Sequence, residues 1–244
     1  MCADVASAVS VFCAEFYRGV AAYEKITPFL AKYLTRKIVT SSVEAVKNVD
    51  DFLYKVCRFV DVHVMPGEFD PTNHQWPQQP LHACALPSAA TLSTYNNVHN
   101  PFSFGVDGVS FLGTSGKNVD DIYQYCGEED RLKITERLLQ WGHLCPTAPD
   151  TLKSYPYYDQ DPFVLEDRPN VFFIGNQPEF QHKLIEDADN DSKTLLLCLP
   201  KFQRKGECAL VNLRNLSVEL LSFQVNIDDF AEERMNGSHT EMHD

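Results

Sequence analysis

The apolar positions change period several times along this chain, and each change marks an element. Val5, Val9, Phe12, Phe16, Val20 and Tyr23 recur at helical spacing, which predicts a helix that Pro28 ends or interrupts. Ser41 followed by Glu44 reads as a capping box, and Val43, Val46, Val49, Leu53 and Val56 mark the apolar face of the helix it starts. A strand over Val62–Met65 follows, then a Pro-Gly turn and an irregular connection through residues 71–90. Asp107-Gly108 between Phe102–Val106 and Val109–Leu112 predicts a hairpin. Asn118 to Ile122 reads as a helix start, and Leu132, Ile134, Leu138 and Leu139 place a second helix over residues 128–140. Residues 141–169 hold five prolines and little periodicity. Val171–Ile174 reads as a short buried strand ending in Gly175-Asn176-Gln177-Pro178. Runs at Thr194–Leu199, Cys208–Leu213 and Val218–Val225 predict an antiparallel meander. Helices interleaved with strands, and loops at the strand ends, are the grammar of an α/β layered fold.

Composition narrows the function. The 244 residues, 44% of them hydrophobic, suffice for one large domain or one domain with appendages. The net charge is −13, and residues 1–50 carry six Lys/Arg against five Asp/Glu, so the excess lies beyond Asp50. It concentrates in Glu186–Asp191 and in a tail holding Asp228, Asp229, Glu232, Glu233, Glu241 and Asp244. That balance argues against a main duplex-binding role, which needs Lys/Arg clusters, and leaves room for a local basic patch around Lys32, Arg36 and Lys37. The eight cysteines show no Cys-x-x-Cys and several sit in apolar runs, as free core thiols of a reducing compartment do. Asp4 precedes the apolar run Val5–Ala14 and no basic region leads it, so no secretory signal is expected, and no stretch approaches the length of a membrane span.

Candidate chemistry centres on Met65-Pro66-Gly67-Glu68-Phe69-Asp70-Pro71-Thr72-Asn73. This context resembles the strand-end loop of calcineurin-like metallophosphoesterases, which carries Gly-Asn-His-Asp, the Asn binding metal and the His acting as general acid. Here those positions read Glu68 and Phe69, and a phenyl ring neither coordinates a metal nor donates a proton. The resemblance also requires Asp-x-His, a lone His and a final Gly-His-x-His around two metals that activate water. Asp61-Val62-His63 has the first spacing but stands too close to Gly67, and reads as the head of a strand. The last motif reads Gly175-Asn176-Gln177-Pro178, without either imidazole, and His143 is the isolated histidine of the right region. Glu68 is expected to be solvated or hydrogen-bonded, Asp70 to be a turn residue and Phe69 to pack on the sheet edge. His74, His82 and His99 read as surface residues. Gly113-Thr114-Ser115-Gly116-Lys117 lacks the spacing of a phosphate-binding loop. The degenerate positions are therefore Glu68, Phe69, Asp70, His143, Asn176 and Pro178, with no catalytic, metal or cofactor residues expected.

A longer set of motifs resembles the small (second, or B) subunits of DNA polymerase delta. It comprises Ala31–Thr35, Ser42–Lys47, Met65–Asn73, Pro77–His82, Phe111–Gly116, Pro146–Leu152, Asp161–Phe163 and Leu210–Arg214, in family order over most of the chain. The resemblance implies a catalytically inactive calcineurin-like phosphoesterase sandwich over residues 31–225. It also implies an oligonucleotide/oligosaccharide-binding (OB) domain and opening strands that the sequence before Lys32 does not resemble, so a shortened form is expected. Residues 1–30 would be an atypical helix-like segment and 226–244 a disordered acidic tail. The family's role is non-catalytic. Its members hold the cysteine-rich C-terminal region of the polymerase catalytic subunit, bridge to a further accessory subunit and act in the nucleus in DNA replication and repair synthesis, with DNA contacted indirectly or weakly and no membrane. Tyr155-Pro156-Tyr157-Tyr158 and Trp76 are candidate contacts, because interface cores favour aromatics. The rival readings are a surviving metal-dependent phosphoesterase or nuclease using Glu68, Asp70 and His143, and a stand-alone nucleic-acid-binding module.

Overall fold

The computed structural model describes residues 42–186 and 192–223, with side chains from Ala45 onward. The segment 1–30, Ser41 and the Glu44 side chain of the expected cap, the acidic run after Glu186 and the tail 226–244 lie outside what is described. Helix α1 spans Ser42–Cys57 and lays Val49, Leu53 and Val56 onto β1, Val62–Val64, as its spacing predicts. The irregular connection that follows contains two short 3-10 turns and then β2, Tyr95–Asn97, which pairs parallel with β1 and had no clear signal in the sequence.

Strands β3 (Phe102–Val106) and β4 (Val109–Thr114) form the expected hairpin. Asp107 and Gly108 both have positive φ, 48° and 81°, as a two-residue hairpin turn requires. Helix α2, Lys117–Tyr125, starts one residue before the predicted Asn118, behind Gly116. Helix α3, Arg131–Trp141, begins later than predicted because Asp130 caps it, accepting from the Leu132 N–H at 3.0 Å. Glu128, read as its first residue, instead bonds Arg137 at 3.3 Å.

Strand β5 runs Val171–Gln177, three residues beyond the predicted Ile174. The meander is corrected. Strand β6 (Gln181–Glu186) reaches past its neighbour to the sheet edge, and β7 (Lys193–Pro200) returns between β5 and β6, parallel to the first and antiparallel to the second. The short helix α4, Phe202–Lys205, then leads to β8 (Glu207–Val211) and β9 (Val218–Ser222), an antiparallel pair in a separate sheet. The physical reason is burial. The run Leu195-Leu196-Leu197-Cys198 is apolar at every position, which suits a central strand covered on both faces. The polar, partly exposed β6 suits an edge and lacks the alternation that would have marked it.

The five-stranded order β3-β4-β5-β7-β6 separates two apolar layers. Leu112, Phe172, Ile174 and Leu196 face α2 and α3, joining Val119, Ile122, Ile134 and Leu138. Phe111, Val171, Phe173, Leu195 and Leu197 face the other way, toward Met65, Val98 and the β8–β9 pair. Gly113 allows this packing, because a Cβ there would lie 1.9 Å from the Phe173 ring. The described cysteines are all free, and burial pushes the Cys57, Cys198 and Cys208 thiols up to about 11, so they stay protonated at neutral pH. Among the described residues no helix is long and apolar enough to cross a membrane. Replacing the fully buried Leu138 by Ala is expected to destabilise the fold by about 2–5 kcal/mol, against less than about 1 kcal/mol for Leu220→Ala on β9. Urea denaturation followed by circular dichroism measures both, and equal losses would contradict the layer assignment.

Candidate functional site

Parallel strands carry their following loops to one end of a sheet, and in open α/β sheets that end is where sites form. Strands β4, β5 and β7 are mutually parallel here, so Ser115-Gly116, Asn176-Gln177 and Lys201 emerge together. The loop after β1 joins them through buried amides. Asp70 accepts the Gly67 N–H at 2.5 Å, and the Gln78 amide donates to the Gly67 carbonyl at 2.7 Å. Asn100, fully buried, donates to Gln78 Oε1 at 3.0 Å and to Ser115 Oγ at 2.6 Å, and accepts the Ser115 N–H at 3.1 Å. Its backbone exchanges two more hydrogen bonds with Gln78, at 2.7 and 3.0 Å. The Asn176 amide donates to the Ser115 carbonyl at 3.0 Å, closing the set.

Glycine is required at one point of this frame. Gly116 has φ 99°, and a Cβ there would stand 2.0 Å from the Gly175 carbonyl oxygen and 2.6 Å from Gln177 Nε2. The β4–α2 turn therefore lies directly against the β5 end.

Side chains with charge converge over the frame. Lys117 Nζ meets Glu68 Oε1 at 2.6 Å. Arg131 pairs with Asp120, donates to Gln177 Oε1 at 3.1 Å and lies 4.3 Å from the Tyr123 ring centroid. Lys201 Nζ stands 6.0 Å from the Phe69 ring centroid. Burial raises the Asp120 carboxyl above its ordinary value, opposed by Arg131, then Lys201, then Lys117.

The sequence-predicted positions divide. Glu68, Phe69, Asp70 and Asn176 belong to this cluster. Pro178 is exposed at the end of β5 and has no donor to offer. Phe69 does not pack on the sheet edge; it is 53% exposed beneath Lys201. His143 belongs elsewhere, on the connection after α3. Its Nδ1 accepts the Cys145 N–H at 3.1 Å and its Nε2 contacts Asp161 Oδ2 at 2.9 Å, so both ring nitrogens are engaged. Burial pulls the Asp161 carboxyl up, and the His143 ring with the Phe163 amide outweigh it, leaving it below its ordinary value. His63 lies within β1, with its ring 5.5 Å from those of Phe102 and Phe104, and burial lowers its pKa. Trp76 is buried in the core and is no surface contact, whereas Tyr157 and Tyr158 are exposed. Gln78, Lys117, Asp120 and Gln177 lie in stretches that the sequence analysis read for other reasons, and Asn100, Arg131 and Lys201 were not picked out from the sequence. Their types carry no motif; a buried Asn between Val98-His99 and Pro101 is the one local hint.

The donor set does not fit a dinuclear metal centre. Glu68 is held by Lys117, the side chains of Phe69 and Pro178 have no lone pair to give, the Asn176 amide is committed to Ser115, and both His143 nitrogens are taken. Among the described residues no group of three or more His, Cys, Asp or Glu is arranged to hold a metal ion.

Comparison with known proteins places the chain among polymerase subunits. The family model for the DNA polymerase alpha/epsilon B subunit matches residues 17–182. The chain is 43% identical over 185 residues to a DNA polymerase delta small subunit of Oryza sativa subsp. japonica, covering 76% of this chain and 43% of the relative. It is 42% identical over 195 residues to the DNA polymerase delta small subunit of Arabidopsis thaliana, covering 80% and 44%. With DNA polymerase delta subunit 2 of Drosophila melanogaster it shares 37% identity over 201 residues, covering 82% and 46%. The chain thus spans less than half the length of these curated relatives.

Asn100→Ala should cost about 2–4 kcal/mol, because it strands the Gln78 and Ser115 groups inside the frame. Thermal unfolding tests this, and a loss below ~0.5 kcal/mol would show that the frame is not needed. Arg131→Met is expected to destabilise by roughly 1–3 kcal/mol at pH 7 by leaving the Asp120 carboxylate half-buried without its main cation. A carboxyl whose folded pKa is raised gives stability below its unfolded pKa and loses it as pH rises through the folded value. Without Arg131 the Asp120 pKa rises further, so the deficit of the variant should shrink as pH falls from 7 toward 5. Denaturation curves across that range check the sign; a deficit that grows in acid would contradict it.

Proposed function

The chain belongs to the family of DNA polymerase alpha/epsilon B subunits, and on that premise we propose that it is a non-catalytic accessory subunit of the delta replicative polymerase. Residues 31–225 then form a scaffold with the calcineurin-like phosphoesterase fold and without its chemistry. Within it, Glu68, Phe69, Asp70, His143, Asn176 and Pro178 stand at positions where catalysis has been lost. The observation that carries this reading is the Lys117–Glu68 ion pair. A lysine ammonium pairs with the Glu68 carboxylate that stands where those hydrolases have a metal-binding Asn. Phe69 beside it supplies neither ligand nor proton.

The partners of this reading are the cysteine-rich C-terminal region of the polymerase catalytic subunit and a further accessory subunit, in the nucleus, with DNA reached through them. The net charge of −13 supports an indirect relation to DNA. The family's shared role is DNA replication, in which a subunit of this kind contributes assembly rather than bond-making.

Co-elution with the cysteine-rich C-terminal region of a delta catalytic subunit tests the scaffold role, after circular dichroism has established that the chain is folded. A complex stable through gel filtration is the expected result. A folded chain that elutes alone at micromolar concentration would overturn the proposal. A manganese-dependent phosphodiesterase activity removed by His143→Ala would overturn the non-catalytic part.

A further inference from the structure

The chain leaves its last strand beside a cationic turn. The Phe223 N–H, one residue past β9, donates to the Gly206 carbonyl at 2.8 Å, and the Phe223 ring stands 6.2 Å from that of Phe202, edge to face. Gly206 closes α4, with φ 62° and its own N–H donating to the Phe202 carbonyl at 2.8 Å. The exit from β9 is therefore fixed against a segment that carries Lys201, Arg204 and Lys205. Arg204 and Lys205 are exposed, and Lys201 is half-buried.

These cations are open. Lys117, Arg131 and Lys183 each hold a carboxylate, whereas among the described residues Lys201, Arg204 and Lys205 have none within ion-pair distance. Lys201 Nζ stands instead 6.0 Å from the Phe69 ring centroid. The carboxylates that the fold places around the turn are Glu207, directly after Gly206, Glu179, in the turn after β5, and Asp120, which Arg131 engages. The other charges of the β8–β9 pair lie farther along it: Glu219 is opposite Leu210, and Arg214 is in the connecting turn.

Beyond Phe223 the sequence has the opposite sign. Residues 224–244 hold Asp228, Asp229, Glu232, Glu233, Glu241 and Asp244, against Arg234 as the one Lys or Arg. Asp228 stands five positions beyond Phe223 and Glu233 ten, which an extended chain spans in at most ~18 and ~36 Å. Exposed ion pairs are individually weak, but a tether this short closes only a small loop and keeps the acidic run at a roughly millimolar effective concentration.

We propose that the acidic run Asp228–Glu233 docks on Lys201, Arg204 and Lys205 of the same chain and covers them against other polyanions. Sign and place together set the occupant: the run follows the exit point directly, and the surface at that point carries its countercharges. The inference does not depend on the accessory-subunit reading.

The full chain is treated with a water-soluble carbodiimide at low salt, digested and mapped by mass spectrometry. Amide links from Lys201 or Lys205 to Asp228, Asp229, Glu232 or Glu233 are the expected result. Salt at 1 M should cut their yield at least about threefold, because exposed pairs are screened there. Arg204→Gln removes a cation but no coupling amine and should lower the yield about twofold, whereas Arg214→Gln should leave it unchanged. Links from the run to Lys47, Lys55 or Lys153 in place of these, or no links at all, would overturn the proposal. Links joining an isotopically labelled copy to an unlabelled one would overturn the same-chain occupant. Heparin tests the covering. Replacing Asp228, Asp229, Glu232 and Glu233 by their amides should raise the salt needed for elution. Arg204→Gln with Lys205→Gln should cancel most of that gain, and the exposed pair Lys47→Gln with Lys55→Gln on α1 should not. Equal effects of the two pairs would assign the gain to overall charge and overturn the covering. Circular dichroism verifies that each variant is folded.

Discussion

Asn100 is the point on which the strand-end loops depend. Its side chain has one acceptor and one two-proton donor, and the Gln78 and Ser115 groups around it use both. The β1 loop, the segment before β3, the β4–α2 turn and, through Ser115, the end of β5 are all tied to it. A buried amide is costly to place in a protein interior, and it is tolerated here because its hydrogen-bonding capacity is met. The frame then fixes the loops through hydrogen bonds among Gln78, Asn100 and Ser115.

The sheet decides which loops can meet. Strands β4, β5 and β7 run parallel because α2 and α3 carry the chain back between β4 and β5, and β6 carries it past β7. Each return brings the following loop to the same end. The apolar runs of β5 and β7 make this arrangement stable, since both faces of these strands are covered, one by α2 and α3 and the other by Met65, Val98 and the β8–β9 hairpin.

Charge at the strand ends is paired between side chains. Lys117 neutralises Glu68, Arg131 neutralises Asp120, and Lys201 lies over Phe69. Glu68 and Asp120 each have a cation, and Asp70 accepts the Gly67 N–H instead. His143 is distant from this cluster in role as well as in partners: it fastens the α3–β5 connection to Asp161 and Cys145. That fastening holds part of a proline-rich, aperiodic stretch beside the core residues Leu144 and Phe163.

The sequence alone determined the α/β class, the helices at Ser42–Cys57, Lys117–Tyr125 and Arg131–Trp141 within a few residues, the Asp107-Gly108 hairpin and that Phe69 has no lone pair to offer. These are legible because periodicity, turn chemistry and the presence or absence of a lone pair are local properties of residues. Only the tertiary structure decided that β7 lies between β5 and β6, that β6 exists as an edge, and that Phe69 faces solvent beneath Lys201. It alone brought Lys117 to Glu68, separated by 49 positions in the chain, and made Asn100 a hub. Strand order and ion pairing depend on which faces are buried and which charges are left to pair once they are. Those quantities belong to the packed chain, and no window of sequence contains them.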